Sequence, residues 1–250
     1  MGKLKIEDIT SELIIDRLRE SLNKQCPVTL YNTYHGVPIT YEAEVAMVHH
    51  HFIGLIVHPY QAVCIKMERR TFLETKSIPT LIRAYPVSID YTNYVVMLKD
   101  LMVPKSISTD LNNSWVAPDE VIDVEISSDD GNELTAPLME IAVLEGNSIR
   151  VVMSVPKDIS FVRHDNMGLV FRLKRGGSLV QVQGEVQSLT KIRNQDVKRM
   201  EVAGKAMMGD EISVLAYIAK REDEIMGALD KAYQKPVSYT HLTLPTTPYV

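Results

Sequence analysis

His49-His50-His51 is the first stretch whose residue types could do chemistry. On a strand, alternate side chains share a face, so His49 and His51 would point the same way, and His58 and Cys64 lie on neighbouring apolar segments. Imidazole and thiolate suit zinc, and a metal-dependent enzyme of small β-barrel architecture using His49 and His51 is the alternative function this set supports. The chain has no Cys-x-x-Cys or His-Glu-x-x-His spacing, however, and an edge strand carrying polar side chains outward accounts for the same residues, so no metal site is expected. Cys26 and Cys64 have no His and Asn nearby in a nucleophile motif and read as surface or core thiols. Lys174-Arg175-Gly176-Gly177-Ser178 lacks the spacing of a phosphate-binding loop and reads as a hairpin turn between a strand ending near Phe171 and one over Leu179 to Val182. Arg172, Lys174 and Arg175, with Arg150 and Arg163, would make a basic patch for a phosphate or an acidic partner if they gathered, and solvated strand ends are the simpler account. None of these sets is a catalytic signature, so no enzyme activity is expected and function is sought in binding.

The elements that would position such residues are mostly strands. Ile6 to Lys24 has Ile9, Leu13, Ile14, Leu18 and Leu22 on one side, as an amphipathic helix requires, with Asp8 or Thr10 as its cap. From Val28 onward short apolar segments at Ala43 to Val48, Phe52 to Val57, Ala62 to Met67, Leu81 to Ile89 and Tyr94 to Leu98 read as strands, with His35-Gly36 and Tyr91-Thr92-Asn93 as turns. After the polar run Lys105 to Ser114 the plan repeats, with strands over Val121 to Ile126 and Leu134 to Leu144, a turn at Asp129-Asp130-Gly131-Asn132, and punctuation at Gly146-Asn147-Ser148. Asp210 to Lys231 closes the pattern as a helix whose face is Ile212, Leu215, Ile218, Ala219, Ile225, Met226 and Leu229. The expected fold is mainly β: two small β-barrel or split-barrel domains, an N-terminal helix and a C-terminal amphipathic helix. The expected division is 1–104 for the first domain, 105–114 for the linker and 115–235 for the second.

Composition narrows the partners. With 45% hydrophobic residues in 250, the chain can bury a sizeable core. A formal net charge of −5 argues against nucleic acid, which needs a basic field, and four Phe and one Trp offer little base stacking. Apolar runs stay well short of the roughly 20 residues that span a bilayer, and the N-terminus lacks the layout of a signal peptide, so a cytoplasmic location is expected. Residues 237–250 contain no acid and no base, and their opening, Val-Ser-Tyr-Thr-His-Leu-Thr-Leu-Pro-Thr, resembles a translated transposase-type sequencing adapter. The expectation is that this tail is foreign, that the natural C-terminus was lost near Lys235, and that the tail takes no part in the fold.

The order of elements from Trp115 to Leu229 resembles a PilZ domain, the bacterial receptor module for cyclic di-GMP. The resemblance is carried by Val116-Ala117-Pro118-Asp119-Glu120, Leu138 to Gly146, Val182-Gln183-Gly184-Glu185-Val186 and Tyr217 to Ile225. Upstream, Phe52-Ile53-Gly54 and Val57 to Val63 resemble the N-terminal barrel that accompanies PilZ in two-domain proteins. In the family an Arg-x-x-x-Arg and an Asp-x-Ser-x-x-Gly turn hold the ligand: guanidinium groups bind phosphate and stack on guanine, and small turn residues let the backbone approach the base. The resemblance puts Leu111 and Trp115 where the arginines belong, and the turn reads Glu140-x-Ala142-x-x-Glu145-Gly146, leaving Glu140 and Gly146 as approximate matches. Losing two charge-assisted contacts of about 1.5 to 3 kcal/mol each weakens binding by about two to four decades. Trp115 could still stack on a guanine. The resemblance therefore implies a non-enzymatic signalling protein with a degenerate cyclic di-GMP site, no cofactor, and output through a protein partner in motility, attachment or exopolysaccharide control.

Overall fold

The computed structural model describes residues 9–104, 111, 113–173, 177–207 and 209–234. Lys174 and Arg175, most of the expected linker 105–114 and the whole of the expected foreign tail 237–250 lie outside the described residues.

The helix predicted near the N-terminus is α1 (Ser11–Asn23), capped by Thr10, whose Oγ1 accepts from the Leu13 N–H at 3.2 Å. It lays Ile14, Ile15 and Leu18 into the core of the first barrel. That barrel is closed and antiparallel. Its strands are β1 (Val28–Tyr34), β2 (Val37–Val48), β3 (Phe52–Ile56), β4 (Thr71–Thr75), β5 (Ile78–Asp90) and β6 (Val95–Met102), in the order β1-β2-β3-β6-β5-β4. Strict alternation in β1 sends Val28, Leu30, Asn32 and Tyr34 inward. His35 and Gly36 join β1 to β2 as a two-residue turn with φ of 48° and 88°. Both central residues being left-handed fits the twist of the flanking strands.

One expected strand is a helix. Ala62 to Met67 belongs to α2 (Pro59–Glu68), where Pro59 occupies the first turn, the His58 Nδ1 accepts from the Tyr60 N–H at 3.2 Å, and Arg69 ends the helix at φ 54°. A short apolar run fits a buried strand or a buried helix equally well, and Pro59 preceded by a capping residue was the deciding signal. A buried polar network fixes α2 to β1. The Asn32 amide donates to Glu68 Oε2 and to the Arg70 carbonyl, both at 2.8 Å, and its Oδ1 accepts from Gln61 and Thr71, both at 2.7 Å. Glu68 also accepts from the Thr33 N–H at 3.0 Å.

The second unit is again a closed antiparallel barrel. Its strands are β7 (Trp115–Val116), β8 (Asp123–Ser128), β9 (Glu133–Leu144), β10 (Ser148–Pro156), β11 (Asn166–Arg172), β12 (Leu179–Lys191) and β13 (Val197–Ala206). Six strands run β10-β13-β12-β11-β8-β9, the β9–β10 pairing closes the ring, and β7 pairs with the far end of β9. β8 starts two residues later than the sequence suggests; Val121, at 83% exposed, precedes it and Ile122 enters the core. The strands on either side of the expected turn, β11 and β12, pair antiparallel with Arg172 opposite Leu179, and Lys174 to Gly176 of that turn lie outside the described residues.

The closing helix is α3 (Asp210–Gln234). Its buried seam is Val214, Ile218, Ile225 and Leu229, whereas Ile212 and Leu215, expected on that face, are 73% and 43% exposed. The seam is therefore rotated from the expected one, and the half-buried Tyr217 and Arg221 share it. Two barrels, a leading helix and a closing helix match the expected fold class. Among the described residues no helix is long and apolar enough to cross a membrane.

The barrels share a core. Tyr34, Val37, Ile39 and Cys64 of the first pack into the apolar cluster of the second. Helix α3 then clasps α2: the Tyr60 hydroxyl donates to Asp230, and the Tyr233 ring meets Tyr60 edge-on at 6.0 Å and Tyr94 at 6.2 Å. Beside them Tyr41 stacks on His58 at 3.8 Å.

Candidate ligand site at the joint between the barrels

Trp115 stands at this joint. Its N–H donates to the Gly36 carbonyl at 3.0 Å, and its ring packs so tightly on the turn that a Cβ on Gly36 would lie 2.5 Å from Trp115 Cδ2 and 1.9 Å from its carbonyl oxygen. Only glycine combines that approach with φ of 88°. On the other side Trp115 pairs with Ala142 of β9, whose opposite edge pairs Ala142 with Arg150 of β10. The two stretches that carry the family resemblance, around Trp115 and around Glu140 to Gly146, thus meet in adjacent strands.

The remaining candidates are placed as follows. Glu140 shares the outward face of β9 and is engaged by Arg199, whose two guanidinium nitrogens donate to its carboxylate at 2.8 and 2.6 Å. Such a bidentate pair satisfies the carboxylate fully. Gly146 lies in a 3-10 turn, Glu145–Asn147, between β9 and β10, exposed and at φ 72°, with no atom within 4 Å of an added Cβ. Leu111 is half-buried. Arg150 is 7% exposed, with Nη1 3.9 Å from Glu201 Oε1, and Glu201 also accepts from Ser188 Oγ at 3.2 Å.

The basic residues do not converge among those described. Register carries Arg150 across Ala203 and Glu185 to Asn166, six residues along β11 from Arg172, which is about 20 Å of strand. Arg163 is exposed in the β10–β11 loop, and Arg172 donates to the Gly177 carbonyl at 3.0 Å, closing its own hairpin.

The histidines sit differently from the strand arrangement the sequence suggested. His49, His50 and His51 form the turn from β2 to β3, the His49 N–H donates to the Phe52 carbonyl at 2.8 Å, and the His49 ring stacks on Phe52 at 4.6 Å. His58 is occupied as the cap of α2, and burial holds its pKa below the usual 6.5. Cys64 is buried, and burial followed by the charge of Glu68 pushes its thiol up to about 12, the reverse of what a nucleophile needs. Among the described residues no group of three or more His, Cys, Asp or Glu is gathered to hold a metal ion. Sequence reasoning missed Asn32, Arg199 and the Gly36–Trp115 contact; the left-handed turn signal at His35-Gly36 was visible, but its partner 79 residues away was not.

No family model and no curated protein matches the sequence. Similar solved structures include the Bacillus subtilis inhibitor of motility, MotI/DgrA, at 12% identity over 79% of this chain and 96% of that one, with a TM-score of 0.40. Escherichia coli YcgR in complex with cyclic di-GMP is similar at 10% identity over 88% of this chain and 94% of that one, TM-score 0.40. The K. pneumonia MrkH complex with cyclic di-GMP is similar at 14% identity over 91% and 98%, TM-score 0.36.

Proposed function

We propose that the chain is a non-enzymatic, PilZ-like signalling protein of the cyclic di-GMP type. Its ligand site, bordered by Leu111, Trp115, Glu140 and Gly146, is degenerate and binds the dinucleotide weakly, and its output passes through a protein partner in motility, attachment or exopolysaccharide control. One observation carries the reading: Trp115 and Ala142 are cross-strand neighbours, and Trp115 also touches the turn of the other barrel. A ligand held there would bear on both barrels, which is what an effector without catalytic groups requires. Weakness follows from residue types, since Leu111 and Trp115 supply no planar donors and Glu140 is already satisfied by Arg199.

Calorimetric titration of the full chain with cyclic di-GMP, alongside Leu111→Arg/Trp115→Arg, tests this. Weak binding that strengthens in the variant supports the reading. Tight binding by the unmodified chain that Arg172→Gln abolishes and Trp115 substitution leaves intact overturns it.

A further inference from the structure

A hollow of about 330 Å³ opens between the flank of α3 and the facing ends of β11 and β12. That volume is at the small end for a ligand pocket and matches a group of about nucleoside size. Helix spacing makes one wall: Ser213, Ala216, Tyr217 and Lys220 recur at three- and four-residue intervals and so share a stripe about 10 Å long. Leu173 and Ser178 face it from the hairpin strands, and Asp119 and Arg221 complete the lining. The stripe is anchored at both ends. At its start the Gln181 N–H donates to the Asp210 carboxylate at 2.9 Å. Near its end Arg221 Nε donates to the Ala117 carbonyl at 3.4 Å, and Arg221 Nη1 pairs with Glu224. The space stays open because Ala216 and Gly177 put at most a methyl group into it.

Leu173 and Ala216 give the hollow apolar surface for a ring, and the polar groups around them carry both signs of charge. Asp119 Oδ1 accepts from the Tyr217 hydroxyl at 3.3 Å, and an ionised carboxylate has about four acceptor positions, so it has capacity for a ligand's N–H groups. The Lys220 ammonium lies 3.4 Å from Glu224 and has three donors. Burial, followed by the charge of Asp119, pushes the Tyr217 phenol up to about 12, so it remains a donor. A carboxylate and an ammonium on one small pocket select a ring that presents adjacent N–H groups and a carbonyl. Guanine does so with N1–H, N2–H₂ and O6, and adenine lacks the carbonyl and the N1–H. Asp119 is four residues from Trp115, at most about 14 Å of chain, so one two-base ligand reaches both.

We propose that this hollow seats one guanine of the ligand, with Asp119 accepting from N1–H and N2–H₂ and Lys220 donating to O6, while the second base lies at Trp115. The inference rests on the cyclic di-GMP reading above and adds α3 to its site.

The test is calorimetric titration of the full chain with cyclic di-GMP, cyclic di-AMP and GMP, using Asp119→Ala and Ala216→Trp. Both positions are exposed, so the fold is kept, as circular dichroism checks. The first variant removes the acceptor; the second fills the hollow and leaves every polar group in place. The unmodified chain is expected to prefer cyclic di-GMP to cyclic di-AMP by about tenfold or more. Asp119→Ala is expected to lose about tenfold or more in affinity, the loss of one charge-assisted contact, and to erase that preference. Ala216→Trp is expected to weaken cyclic di-GMP at least as much. Undiminished affinity in either variant overturns the inference, and if Trp115→Phe still weakens binding the cyclic di-GMP reading stands without it. GMP binding that Asp119→Ala abolishes, with no heat from cyclic di-GMP, keeps the guanine seat and overturns the dinucleotide reading. No heat from either nucleotide at millimolar ligand overturns both.

Discussion

Replacing Gly36 by alanine isolates the contact on which the joint depends. At φ 88° an alanine is held in a left-handed conformation, which costs about 1–2 kcal/mol. The added Cβ would also sit 1.9 Å from the Trp115 carbonyl oxygen and 2.5 Å from its ring, so β7 must shift; overpacking of that kind costs about 1–3 kcal/mol. The sum, about 2–5 kcal/mol, corresponds to about 4–20 °C of melting temperature for a chain of this size. Gly131→Ala is the matched control, because Gly131 has φ of 78° and no atom within 4 Å of its added Cβ, so it reports the conformational cost alone. Differential scanning calorimetry should show Gly36→Ala losing clearly more than Gly131→Ala. Trp115 is the single tryptophan, so its emission reads the joint directly and should shift to the red in Gly36→Ala. Equal melting temperatures for the two variants, with unchanged emission in Gly36→Ala, would refute the packing argument.

Asn32→Ala should destabilise the chain by about 2–5 kcal/mol, measured by urea unfolding, because it strands Glu68, Gln61 and Thr71 in a buried site; a loss under about 1 kcal/mol would sink the network's role. Cys64 should resist iodoacetamide at pH 8 while the half-buried Cys26 is alkylated, read by mass spectrometry of the native protein, since burial pushes the Cys64 thiol up to about 12; prompt alkylation of Cys64 would contradict its place in the shared core. His58 has a folded pKa below 6.5, so the unfolded chain binds the proton more readily and stability falls as pH drops below that value, reaching its full loss below the folded pKa. His58→Asn, which keeps a capping side chain and removes the titration, should flatten the fall in melting temperature between pH 7 and 5, and an unchanged slope would assign that pH dependence elsewhere.

Local pattern made most of the fold legible. The alternation in Val28 to Tyr34, the left-handed turn at His35-Gly36 and the spacing of Ile14, Leu18 and Leu22 each dictate one element, and their sum is two barrels with a leading and a closing helix. Ala62 to Met67 failed because four to six apolar residues carry too little period to separate strand from helix, and Pro59 outweighs them. On α3 the apolar residues mark helix but leave its rotation open; the crossing over the barrel selects Val214 and leaves Ile212 in water. The candidate site was legible only as residue types. That Trp115 pairs with Ala142 and packs on Gly36, that Arg199 answers Glu140, and that Asn32 anchors α2 are contacts between distant parts of the chain, and strand register rather than sequence spacing creates them.

The central claim is that Leu111, Trp115 and the β9 face border a cyclic di-GMP site that lacks its two arginines. Its most direct measurement is the calorimetric dissociation constant of the full chain for cyclic di-GMP against that of Leu111→Arg/Trp115→Arg, whose aliphatic stem at position 115 still covers Gly36. The account predicts that the variant binds tighter by about two to four decades. Equal or weaker binding by a variant that retains its melting transition would contradict it.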